Sequence, residues 1–121
     1  MKDPRGHKDF YDALARHDSK GSGNTMRSFQ GGRPSIYTLE DAIRKIAVPT
    51  LIICGDEDDS CIAPSLFLKT HIPASGLSMF PKAGHVLNLE EPSLFNETLD
   101  RFISQVEAGR WPARDSRSRA A

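Results

Sequence analysis

The chain has 121 residues, 38% of them hydrophobic, and it balances 16 Lys and Arg against 16 Asp and Glu. That length bounds one domain at most, and the zero net charge excludes the basic excess that a nucleic acid or an anionic membrane surface requires of a partner. Two cysteines, Cys54 and Cys61, form neither a C-x-x-C pair nor a Cys/His cluster at metal spacing, so neither a disulfide framework nor a metal site is expected.

The elements follow in chain order. Residues 1–34 are polar and glycine-rich, with two weak helical patterns. Phe10 and Leu14 suggest a short stripe over 8–17, and Ser22 or Asn24 suits the cap of a helix over 24–30 that Gly31-Gly32 would stop. Neither pattern buries much, so this segment needs something to pack against or reads as a flexible N-terminal segment. Residues 38–47 predict a helix: Thr38 suits an N-cap, and Leu39, Ala42, Ile43 and Ile46 recur at helical spacing. Pro49 ends it.

Residues 49–54, Pro-Thr-Leu-Ile-Ile-Cys, form a short apolar run rich in β-branched side chains. Such a run fits a strand covered on both faces. A helix is expected over 63–71, with Pro64 in its first turn and Leu66 and Phe67 facing inward. Residues 77–80 predict a second strand, closed by Pro81. Residues 92–107 predict the strongest helix. Pro92 opens it, Leu94 or Phe95, Leu99, Phe102, Ile103 and Val106 line one face, and Gly109 stops it. The segment 110–121 carries Arg110, Arg114, Arg117 and Arg119 with only Asp115 opposing, and reads as a disordered tail. The domains are thus 1–34, a core over 35–109, and the tail 110–121.

Helices alternating with strands imply an α/β fold with a parallel sheet. Two strands are fewer than an open sheet usually needs, so the sheet is expected to be incomplete. A homodimer that covers the open sheet edges would answer this. No apolar run reaches the roughly 18 residues of a membrane span, and Met1 to Phe10 contain no apolar signal core. The expected location is the cytoplasm.

Two loops carry candidate chemistry. Gly55-Asp56-Glu57-Asp58-Asp59 follows the first strand, and four adjacent carboxylates require solvent or a compensating cation. Gly84-His85 follows the second strand. Of four histidines, His7 and His17 lie in the weak N-terminal region and His71 closes a helix. Only His85 sits on a loop at a strand's carboxyl end, where open α/β sheets bind ligands. Taken singly, each loop has an ordinary structural reading. Taken together, neighbouring parallel strands bring the two loops to one rim, roughly 5 Å per strand apart. There Asp58 can hold one imidazole nitrogen of His85 while the other takes a proton.

The residues Pro49 to Asp58, Pro64, Phe80-Pro-Lys-Ala-Gly-His85, Leu89-Glu-Glu-Pro92 and Phe95-Asn96 resemble the C-terminal third of the α/β-hydrolase superfamily. The resemblance covers about residues 38–107. It implies a Ser-His-Asp triad in which Asp58 is the acid, with Asp56 and Asp59 as fallbacks, and His85 is the base. It also implies that residues 8–34 end a helical cap. The superfamily's Gly-x-Ser-x-Gly elbow is absent from this sequence. The nearest segment, Lys20-Gly21-Ser22-Gly23-Asn24, has the wrong spacing, and Ser22 is not expected to be the nucleophile. Cys61 would stand beside the acid rather than opposite the histidine, as an inert thiol.

The resemblance therefore implies a hydrolase of an ester or related bond with no cofactor. It would act on a small-molecule substrate once an N-terminal half supplied the nucleophile, and the 121-residue chain by itself would be inactive. The alternative is a non-catalytic binding or interaction module, or a truncated fragment, that pairs with another chain.

Overall fold

In the computed structural model, which describes residues 4–118, the chain divides into two units, Met1–Thr38 and Leu39–Ala121. In the first unit, α1 spans Pro4–Ala15 and α2 spans Ser19–Asn24. Asp18 caps α2, its Oδ1 accepting from the Gly21 amide at 3.0 Å. The expected cap on Ser22 or Asn24 is therefore replaced by one five residues or so earlier. From Thr25 to Gln30 the helix widens to π geometry. Side chains draw on its carbonyls there: Thr25 Oγ1 donates to the Gly21 carbonyl and Ser28 Oγ to that of Asn24. Among its described residues none is buried.

A 3-10 turn over Ile36–Leu39 crosses from the first unit's sequence into the second and leads into α3, Glu40–Ile43. This is much shorter than the helix expected over 38–47. Thr38 does not cap it. Its hydroxyl donates to the Ser35 carbonyl instead. Ile43 is buried, Ile46 half-buried, and Leu39 and Ala42 are exposed.

Strand β1, Thr50–Gly55, and strand β2, Ser75–Phe80, pair in parallel, from Thr50 opposite Ser75 to Gly55 opposite Phe80. Both strands thus end on the same rung. Helix α4, Asp59–His71, is the crossover between them and packs on both. It starts four residues before the expected helix, so Pro64 lies inside it rather than in its first turn. Its buried residue is Ser65, whereas Leu66 is exposed. The Ser75 hydroxyl donates to the Lys69 and Ile72 carbonyls, which ties the end of α4 to the start of β2.

Helix α5, Leu87–Glu90, is a single turn absent from the periodicity. Helix α6 spans Pro92–Glu107 as expected. Its C-terminus closes with Gly109 N–H on the Val106 carbonyl and Arg110 N–H on that of Gln105, with Gly109 at φ +66°. That is the Schellman arrangement.

The core beneath the second loop is Phe80, Ala83 and Leu87, with Ile53 and Phe95 packed against it. Phe80 is 1% exposed, and burying such a ring contributes up to about 3 kcal/mol. Phe95, not Leu94, is the inward residue at the start of α6, and Ile103 faces outward. Leu51, Ser78, Phe102 and Trp111 line one groove, so α6 lies over the sheet face that carries Leu51 and Ile53.

The expected disordered tail needs correction at its start. The Trp111 ring meets Phe102 edge-on, 4.9 Å between centroids, and its indole N–H donates to the Ala74 carbonyl. Arg114 N–H then donates to the Pro73 carbonyl. An aromatic anchor outweighs the arginine-rich composition around it. Arg119 and the last residues lie outside the described residues.

Candidate active site

Two loops leave the common end of β1 and β2, and backbone bonds join them. Asp56 N–H donates to the Phe80 carbonyl and Glu57 N–H to that of Ala83, each at 3.0 Å. Asp56 returns the link, its Oδ1 accepting from Lys82 N–H at 2.6 Å. That bond holds Lys82 in the left-handed region, at φ +57°. The approach is close enough to require a glycine. A Cβ on Gly55 would lie 2.1 Å from the Ala83 carbonyl oxygen and 2.5 Å from that of Gly84.

Asp58 occupies the N-cap position of α4, yet its side chain does not cap the helix. Its carboxylate turns across the loop instead. Oδ2 lies 2.6 Å from His85 Nδ1, and Oδ1 accepts from Ser60 Oγ at 2.8 Å. The thiol of Cys61, the imidazole of His85 and the hydroxyl of Ser60 all hydrogen-bond this carboxylate and hold its pKa down, from 3.8 to about 2. At neutral pH the group is ionised and accepts only. The proton of the bond is therefore on Nδ1, and the Nε2 lone pair of neutral His85 is left free. Asp58 is sheltered, at 12% side-chain exposure, while His85 is 79% exposed.

The structure thus brings Asp58 and His85 together. Asp56 is committed to the Lys82 amide, and Asp59 opens α4, exposed. Ser22, the serine closest to an elbow pattern, lies in α2 of the first unit. His71 Nδ1 faces the Phe67 carbonyl at 2.7 Å, as its place at a helix end suggests, and its Nε2 lies 3.3 Å from Glu40.

Two further residues belong to the site. Glu90, at the end of α5, takes the Gly84 N–H with both carboxylate oxygens, at 3.0 and 3.2 Å. A Cβ on Gly84 would come within 3.1 Å of that carboxylate, so this glycine supplies space rather than an unusual torsion. In the sequence Glu90 stands out only as part of the Leu89-Glu-Glu-Pro92 segment. The turn that brings it back to Gly84 leaves no period to detect.

Cys61, in the first turn of α4, is the other. Its Sγ lies 3.8 Å from His85 Nδ1, on the acid's side of the ring. Its hydrogen bond to Asp58 and its partial burial push the thiol pKa up, so it is a poor nucleophile. Asp58, Cys61 and His85 present one donor atom each, all within 4.8 Å of one another.

No protein-family model matches the chain. It is 29% identical over 92 residues to a protein of Bacillus subtilis (strain 168) named as a 2-succinyl-6-hydroxy-2,4-cyclohexadiene-1-carboxylate synthase, covering 75% of this chain and 32% of that one. It is 30% identical over 70 residues to a proline iminopeptidase of Saccharolobus solfataricus, covering 58% and 23%. A crystal structure of a meta-cleavage product hydrolase variant superposes with a TM-score of 0.52 at 30% identity, over 55% of this chain and 25% of that one. The chain spans about a third or less of the length of the relatives it matches. The parallel β1–α4–β2 unit, the two rim loops and these relatives together support a place for the chain in the α/β-hydrolase superfamily.

Proposed function

We propose that this chain supplies the acid–base half of a hydrolase of ester or related bonds, with a nucleophile contributed from outside these 121 residues. The observation that carries the reading is the 2.6 Å contact between Asp58 Oδ2 and His85 Nδ1. An ionised Asp58 fixes the tautomer and offsets the charge that appears when Nε2 takes a proton from a nucleophile. The same Nε2 then delivers that proton to the leaving group. Asp58 and His85 cannot perform acyl transfer without a nucleophile and an oxyanion hole, because these groups act as a unit. The substrate on this reading is a small molecule.

The test is complementation. The chain alone should not hydrolyse a chromogenic acetate ester. Joined with a segment that carries a Gly-x-Ser-x-Gly elbow, taken from a superfamily relative, it should. In that complex Asp58→Asn should lower kcat by on the order of 10⁴-fold, and His85→Ala should abolish turnover. Turnover that survives His85→Ala rejects the assignment.

A second reading rests on the two-stranded sheet, in which each strand leaves one edge unpaired among the described residues. Such edges add strands from other chains. On that reading the chain is an interaction module or forms a homodimer. A monomer by size-exclusion with light scattering rejects the homodimer.

A further inference from the structure

We propose that Asp58, Cys61 and His85 form a binding site for one thiophilic divalent cation of the Zn²⁺ class. The three donors are a carboxylate oxygen, a thiol sulfur and an imidazole nitrogen, which together make a ligand set that zinc accepts. They come from three places in the chain: the loop after β1, the first turn of α4 and the loop after β2. No spacing in the sequence announces them. The fold converges them, with donor atoms all within 4.8 Å of one another.

The distances suit a cation at their centre. With zinc–donor bonds of about 2.0 to 2.3 Å, tetrahedral coordination puts donor atoms roughly 3.2 to 3.6 Å apart. Cys61 Sγ and His85 Nδ1 are already 3.8 Å apart. The Asp58–His85 pair, at 2.6 Å, must open, and the imidazole, 79% exposed, has solvent to move into. A water completes the fourth position. Charge also balances. The carboxylate and the thiolate carry two negative charges, which the dication cancels. The thiol proton that Asp58 now receives is released to solvent on binding. Asp59 adds negative charge beside the same loop, while Glu57 pairs with Lys82 at 3.3 Å.

Coordination through Nδ1 has a consequence, which rests on the acid–base reading of the same residues. Neutral imidazole has one lone pair. If the metal holds Nδ1, the remaining proton resides on Nε2, which can no longer accept one. The bound cation therefore switches the base off, and Cys61 is what distinguishes this site from an acid–histidine pair that leaves a cation only two ligands.

The experiment is a zinc titration of the whole chain against a chromophoric chelator, without substrate. The expected result is one site per chain. Cys61→Ser and His85→Ala should each weaken it by at least the roughly 10- to 100-fold that losing a mere supporting partner costs. Circular dichroism of each variant establishes that it is folded. Substituting Co²⁺ should give a thiolate-to-metal absorption band that Cys61→Ser removes. Zinc affinity unchanged in Cys61→Ser, or a cobalt complex without the thiolate band, overturns the proposal. The complementation assay runs in chelator, so a failed hydrolase reading and a failed metal site give different results.

Discussion

Asp58 is the residue on which the site turns, and its ionisation links the site to acid stability. In the folded chain the hydrogen bonds from Cys61, His85 and Ser60 hold its carboxyl at about 2, against 3.8 for a free aspartate. A depressed acid stabilises the fold fully above its unfolded pKa and loses that contribution as pH falls through the folded one. Between about pH 4 and 2 the unfolded chain binds the proton first, so unfolding is favoured as acid is added. In Asp58→Asn this part of the slope should vanish. Acid titration of the two proteins by circular dichroism checks it, and parallel curves between pH 4 and 2 would contradict the depressed carboxyl. The same substitution should remove the downfield Nδ1 proton resonance of His85, since an amide no longer compels that proton to sit there. Gly55 is the second decisive residue. Gly55→Ala would drive a methyl to 2.1 Å from a backbone oxygen that has nowhere to retreat. A loss of about 3 kcal/mol is expected, at the upper end for overpacking. Urea denaturation measures it, and a loss below 1 kcal/mol would mean that the two loops slide apart freely.

At the scale of elements, the parts that a periodic pattern can encode were readable in the sequence. Strand β1 begins one residue from its expected start because Pro49 and Gly55 bracket a β-branched run. Helix α6 runs over its expected 92–107 because Pro92, the Phe95-Leu99-Phe102-Val106 stripe and Gly109 all agree. What escaped are features set by tertiary contact. The carboxylate of Asp58 serves a histidine 27 residues away rather than its own helix, so α4 has no side-chain cap at its true start although an aspartate stands there. Helix α5 returns Glu90 to Gly84, and of the apolar positions at helical spacing over 38–47 Ile43 is the one buried. Trp111 shows the same limit from the other direction: one aromatic orders a segment whose composition reads as tail. Trp111→Ala should cost about 2 kcal/mol, somewhat below the cost for a fully buried ring. It should also free the start of β2 by removing the bond to Ala74. Thermal unfolding and amide exchange at Ala74 and Ser75 test this. An unchanged midpoint would show that the ring is a surface contact only.

For the whole molecule, burial is uneven. The buried residues all lie in Leu39–Ala121, and none of the described residues of Met1–Thr38 is among them. Local stability follows buried apolar contact. Amides of 4–38 should therefore exchange within seconds to minutes at neutral pH, while those of β1 and β2 should be the slowest. Comparable protection in the two units would show that the first unit buries a surface in solution. No helix among the described residues is long and apolar enough to cross a membrane. The candidate site depends on the second unit alone, since both of its loops, the crossover helix and the Glu90 turn belong to it.

The openness of His85 has one more consequence. Its ring stands four-fifths in solvent while its acid partner is sheltered, so the imidazole is a gauge of assembly. An acylating reagent such as diethyl pyrocarbonate would modify Nε2 quickly on the uncovered chain. Any surface that closes over the rim would slow that reaction before it changed anything else, so the labelling rate reports how completely the rim is covered.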